Sequence, residues 1–69
     1  MKTGYIGNNQ YRYRWFKSPL GFTKFLLDAF IDTRSGFVNM SESNINGNPS
    51  DEEINQFAIQ EVKRIECMN

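Results

Sequence analysis

The sequence has no histidine and only one cysteine. The missing imidazole removes the commonest general base and the commonest metal ligand. One thiol without histidine leaves no zinc cluster and no Cys–His or Ser–His–Asp nucleophile. No disulfide can close within the chain, and the lone Cys67 fits a reducing compartment. No glycine-rich phosphate loop is present: Gly4 and Gly7 stand alone, and no GK[ST] motif occurs. No stretch is apolar for long enough to span a bilayer, and the opening MKTGYIGNNQ lacks the apolar core of a secretory leader. The expectation is a cytoplasmic protein away from the membrane, with no catalytic, cofactor-binding or metal-binding residue and no enzymatic activity. Asp28 and Asp32 are the one carboxylate pair that alternation brings together, and such a pair on a small open surface is ordinarily solvated. The asparagines 44, 46 and 48 resemble a calcium loop in spacing but lack its carboxylates, and Pro49 stands where the loop needs glycine.

What is present is unevenly spread. The net charge is zero, yet residues 1–40 carry six basic and two acidic groups, and residues 41–69 carry two basic and six acidic ones. The halves are therefore +4 and −4. Nine of the ten aromatic residues fall within the first 37 positions. A basic, aromatic front followed by an acidic rear suggests a sheet that attracts its own helix, or two surfaces of opposite sign. Sixty-nine residues make one small domain with a thin stability margin, which a partner or a second copy would widen.

The rear is the clearer half. In NPSDEEINQFAIQEVKRIE, Ser50 followed by Glu53 forms a capping box. Asp51, Glu52 and Glu53 lie at the positive end of the helix dipole, and Lys63 and Arg64 near its negative end. Ile54, Ala58, Val62 and Ile65 recur at helical spacing with Phe57 beside them. This predicts a helix over 50–66, with Glu61 at the edge of the apolar stripe, placed to pair with an arginine of the sheet. Residues 43–49 read as a loop rich in Asn, Gly and Pro.

The middle, SPLGFTKFLLDAFIDTRSGF, supports two readings. As a helix, Ser18 caps, Pro19 opens the first turn and Gly36 terminates. As a strand, SPLG and TRSG are turns, and Phe25, Leu27, Ala29 and Ile31 make one apolar face between them. The strand reading is preferred, because a three-stranded antiparallel β-meander over 10–42 plus one C-terminal α-helix closes a small α+β domain without leftovers. Residues 1–9 are then an N-terminal arm or an extra strand. The alternative is a β-hairpin with two helices, ββαβα.

In QYRYRWFKS, alternation sends Tyr11, Tyr13 and Trp15 to one side and Arg12, Arg14 and Phe16 to the other. With the aromatic side under the helix, the far side carries Arg12, Arg14, Phe16, Lys24, Leu26, Asp28, Phe30 and Asp32. One helix covers one side of a sheet, so this mixed face is left open. Apolar groups rimmed by charge, with Arg and aromatics among them, are the composition of contact surfaces. The expected function is non-catalytic protein binding through Arg12, Arg14, Phe16, Leu26 and Phe30, either to another protein or in a homodimer. In size and composition the chain is similar to the miniature inhibitors and antagonists that phages and mobile elements direct at host or defence complexes. Two alternatives stay open. One is single-stranded nucleic-acid binding by the Tyr/Arg/Trp strand, although the neutral charge and the acidic groups on the same face count against it. The other is an acidic mimic of nucleic acid built from Glu42, Asp51, Glu52 and Glu53.

Overall fold

A computed structural model describes residues 1–68. The chain forms a four-stranded sheet in the order β1 (Lys2–Ile6), β2 (Tyr11–Lys17), β3 (Phe22–Asp32), β4 (Gly36–Asn46), followed by α1 (Asp51–Cys67). Every neighbouring pair is antiparallel. The domain is thus α+β as expected, with four strands rather than three: residues 2–6 supply an extra strand. The middle segment is strand β3, not helix. The predicted loop over 43–49 is also too long. β4 runs on to Asn46 because β3 is itself long enough to pair with it, Phe22 opposite Asn46 and Thr23 opposite Ile45.

The turns follow their residues. Gly7 to Gln10 closes the first hairpin, the Gln10 amide donating to the Gly7 carbonyl at 3.0 Å. Asn8 and Asn9 both take positive φ there, 56° and 64°, which asparagine tolerates better than most residues. SPLG is a turn as predicted, its Gly21 amide donating to the Ser18 carbonyl at 3.2 Å. In the last hairpin the Asp32 carboxylate accepts from the amides of Arg34 and Ser35, and Gly36 enters β4 at φ 66°.

Tyr13, Phe25 and Leu27 from the sheet and Ile54, Ala58 and Val62 from the helix make the buried core. The Phe25 ring meets Phe57 edge-on at 4.9 Å and stacks with Tyr13 at 6.0 Å. The helix is fixed at both ends. The capping box at Ser50 and Glu53 is complete, and such a cap contributes about 1 kcal/mol. Lys2 pairs with Asp51 at 3.1 Å, and Tyr11 donates to Glu66 at 3.4 Å. Glu61 does not reach a sheet arginine. It pairs with Arg64 one turn on in its own helix at 2.7 Å and accepts from Ser43 at 3.4 Å. The sheet arginines point away from the helix, which is why they are out of its reach.

Two register breaks between β3 and β4 alter the faces. One leaves Met40 unpaired between Asn39 and Ser41, and the other leaves Ile31 unpaired before Asp32. A bulge inserts one residue and reverses the alternation beyond it. Ile31, expected in the apolar face, is consequently 56% exposed, and Asp32 caps the hairpin turn instead of joining Asp28 on the open face.

Gly4 shows why β1 joins the sheet. It lies directly opposite Tyr13, whose ring occupies the space a side chain at position 4 would need. That ring cannot easily move, since Trp15 and Phe25 flank it and Asn55 donates to its hydroxyl at 2.7 Å. Gly4→Ala is expected to cost about 1–3 kcal/mol through overpacking, read as a lower urea midpoint. Thr3→Ala, at an exposed position on the same strand, serves as the control. Equal midpoints for the two variants would show that the ring is not held in place.

Candidate interaction surface

Residues directly opposite one another in a sheet share a face. The register therefore builds the face away from α1 in rows: Tyr5–Arg12–Asp28–Asn39, then Thr3–Arg14–Leu26–Glu42, with Phe16–Lys24–Asn44 at one end and Phe30–Phe37 at the other. All five residues singled out by alternation, Arg12, Arg14, Phe16, Leu26 and Phe30, fall on this face. Among the described residues, no strand or helix covers it. Tyr5 is 52% and Phe16 39% exposed, whereas Leu26 and Phe30 are half-buried among their neighbours.

The centre of the face is an ion cluster. Asp28 is 1% exposed although it lies on the open side. Arg12 Nε donates to its Oδ2 at 3.0 Å, and Arg14 Nε stands 2.9 Å from the same oxygen. Arg14 Nη2 and Asn39 Nδ2 both donate to Oδ1 at 3.2 Å. Burial by itself pushes this carboxyl up, but the hydrogen bonds from Asn39, Arg14 and Arg12 outweigh it and hold it below the usual carboxylate value. The arginines are thus braced against a buried anion, with their side chains 28% and 30% exposed. Beside them, Lys24 pairs with Glu42 at 3.4 Å. The face carries three cations against two anions.

An aromatic cluster adjoins the ions. The Arg12 guanidinium lies 4.5 Å from the centre of the Phe37 ring, a cation–π contact. Phe37 in turn meets Phe30 edge-on at 5.6 Å and Tyr5 at 6.1 Å. Tyr5, Phe37 and Asn39 belong to this surface although sequence reasoning does not single them out. The GNN turn signal points to Tyr5, since it makes TGYIGNNQYRY a hairpin. Phe37 and Asn39 have no such signal, because simple alternation from Glu42 places them on the helix side and only the Met40 bulge turns them over.

Tyr11, Tyr13 and Trp15 face α1, on the side opposite Arg12 and Arg14, so the aromatic and basic residues of the YRYRW strand do not form one platform. The four acidic positions do not converge either. Glu42 lies on the open face with Lys24, Asp51 pairs with Lys2, Glu53 is engaged in the helix cap, and Glu52 is exposed at the helix start. Among the described residues, no group of three or more His, Cys, Asp or Glu side chains could hold a metal ion, and no helix is long and apolar enough to cross a membrane. A scan against family models finds no match for this chain, and neither does a search of the curated proteins or of the solved structures.

Proposed function

We propose that this protein is a non-catalytic, cytoplasmic protein-binding module that acts by occupying a partner's surface, as a small inhibitor or antagonist does. The observation that carries this reading is the uncovered sheet face: exposed Tyr5 and Phe16 flank a rigid Arg12–Asp28–Arg14 cluster. Binding loses affinity when flexible side chains must be ordered. Arginines already fixed by a buried carboxylate avoid much of that loss, and aromatic and arginine anchors are the side chains that dominate protein interfaces.

Phe16 and Tyr5 are the positions to test, because neither takes part in the ion cluster or the core. With folding checked by circular dichroism, the wild type is expected to capture a stoichiometric protein partner from its own cellular extract. Phe16→Asp and Tyr5→Asp are each expected to lose it. Capture that survives both substitutions would overturn the reading. A doubled mass in light scattering that Phe16→Asp abolishes would identify the partner as a second copy. Steeply salt-dependent binding to single-stranded DNA or RNA would favour the nucleic-acid alternative.

A further inference from the structure

Two guanidinium groups offer more N–H donors than the single Asp28 carboxylate can accept, and Asn39 takes part of that capacity. Among the described residues, Arg12 donates only through Nε and Arg14 only through Nη2. Both terminal nitrogens of Arg12 and Nη1 of Arg14 therefore lack a protein acceptor there, and none of the three is buried. Asp28 is already spent on the cluster and Glu42 pairs with Lys24, so neither acid of this face answers them. Beside the cluster lies a hollow of about 490 Å³, lined by Tyr5, Phe30 and Phe37 with Asn8, Asn9 and Gln10. The Phe37 ring belongs to both, since it borders the hollow and carries the Arg12 guanidinium 4.5 Å from its centre. The Gln10 side chain is fixed on the Phe30 carbonyl at 2.8 Å, and Asn8 and Asn9 are exposed in the turn.

Given the protein-binding reading above, on which this rests, we propose that the partner meets the open face with an acidic, extended segment. One carboxylate of that segment takes the free guanidinium nitrogens of Arg12 and Arg14, and an apolar side chain two residues away fills the hollow among Tyr5, Phe30 and Phe37. Three cations against two anions leave the face one positive charge, which the carboxylate neutralises. Hydrogen bonds between guanidinium and carboxylate are roughly twice as strong as neutral ones. Alternate residues of an extended chain point the same way, which suits two sites that share the Phe37 ring. The exposed amides of Asn8 and Asn9 offer donors and acceptors to the ligand backbone. A nucleic-acid strand suits the face less well. It brings a phosphate with every nucleotide, whereas Lys24 is already paired and Glu42 beside it would repel the next phosphate. A second copy is no better supplied, because Asp51 pairs with Lys2 and Glu53 is taken by the helix cap.

The test uses the whole chain and an acetylated, amidated pentapeptide of glutamate, serine, phenylalanine, serine and glutamate, followed by amide and arginine Nε–H chemical shifts at low salt. A glutamate on each side of the aromatic residue allows both chain directions. The expected shifts centre on Tyr5, Arg12, Arg14 and Phe37. Replacing both glutamates by glutamine is expected to weaken binding about tenfold or more, the effect of losing a charge-assisted hydrogen bond. Replacing phenylalanine by serine is expected to weaken it about fivefold or more, since the hollow then stays empty. Both comparisons alter the ligand alone and leave the fold of the protein untouched. Shifts centred elsewhere, no saturable shift, equal affinity for the glutamine peptide, or tighter binding of a thymidine oligonucleotide at the same residues would overturn the proposal. Dilution-dependent shifts on the open face without peptide would overturn it too, by making a second copy the occupant. In each of those cases, a protein captured from extract and lost by Phe16→Asp would leave the protein-binding reading standing, so the two failures are told apart.

Discussion

Phe25→Ala leaves little folded protein at physiological temperature. The ring is fully buried at the centre of the sheet–helix layer, between Tyr13 and Phe57. Removing a buried phenylalanine costs about 3–5 kcal/mol, from lost transfer energy and from the cavity left behind. A domain of this length holds roughly 3–10 kcal/mol in all. The substitution therefore removes a third to the whole of the margin, and the urea transition is expected to shift far down or lose its cooperativity. Phe16→Ala, on the other face of the neighbouring strand and partly exposed, is expected to change the midpoint little, within about 0.5 kcal/mol. The contrast tests the assignment of the faces as well as the core. If Phe16→Ala proved the more damaging, the proposed division of the sheet would be reversed.

Asp28→Ala is the second large effect. It leaves the Arg12 and Arg14 guanidinium groups facing each other without the anion that separates them. Removing one member of a buried ion cluster costs about 3–5 kcal/mol, and here about 2–4, because both arginines keep some contact with water. Asp28→Asn keeps the shape and one acceptor and is expected to cost less. The two variants also differ from wild type in acid. The folded-state pKa of Asp28 lies below its ordinary 3.8. Its stabilising contribution is therefore complete above that value and lost as the pH falls through the folded pKa. Asp32 and Glu53, lowered mainly by backbone amides of Ser35 and Ser50 respectively, act in the same direction. Wild type is expected to hold its urea midpoint from neutral pH to about 5 and lose it below about 4. Asp28→Asn is expected to start lower and fall less steeply. Parallel pH profiles would show that Asp28 is not the linked group.

Both effects concern residues whose burial the sequence announces unevenly. The helix is legible because the cap, the charge at its two ends and the spacing of Ile54, Ala58 and Val62 agree. β3 is legible only through closure of the whole domain, since Leu26, Leu27 and Ala29 favour a helix locally and the pairing with β2 and β4 decides otherwise. β1 is short and interrupted by Gly4; the GNN turn offers a hairpin there, but the fit of the Tyr13 ring over Gly4 is a contact that no local pattern reveals. The end of β4 reads as loop because Ser43, Asn44 and Asn46 are polar, while Ile45 alone marks the buried side. Alternation places the five residues of the open face correctly. It cannot place Phe37, Asn39 or Ile31, because a bulge is a property of two strands paired together. Nor does alternation show that Asp28 is buried by the arginines it holds.

The order of elements carries a consequence for how the molecule comes into being. Each strand pairs with the one before it, so the sheet can zip up hairpin by hairpin through short loop closures, a route that favours rapid folding. The segment that shields Phe25 and Leu27 follows all four strands. During synthesis there is an interval in which a complete meander has both its surfaces in water, and such species are prone to clump. A premature stop anywhere before Ser50 would make that interval permanent and yield a sticky sheet without its lid.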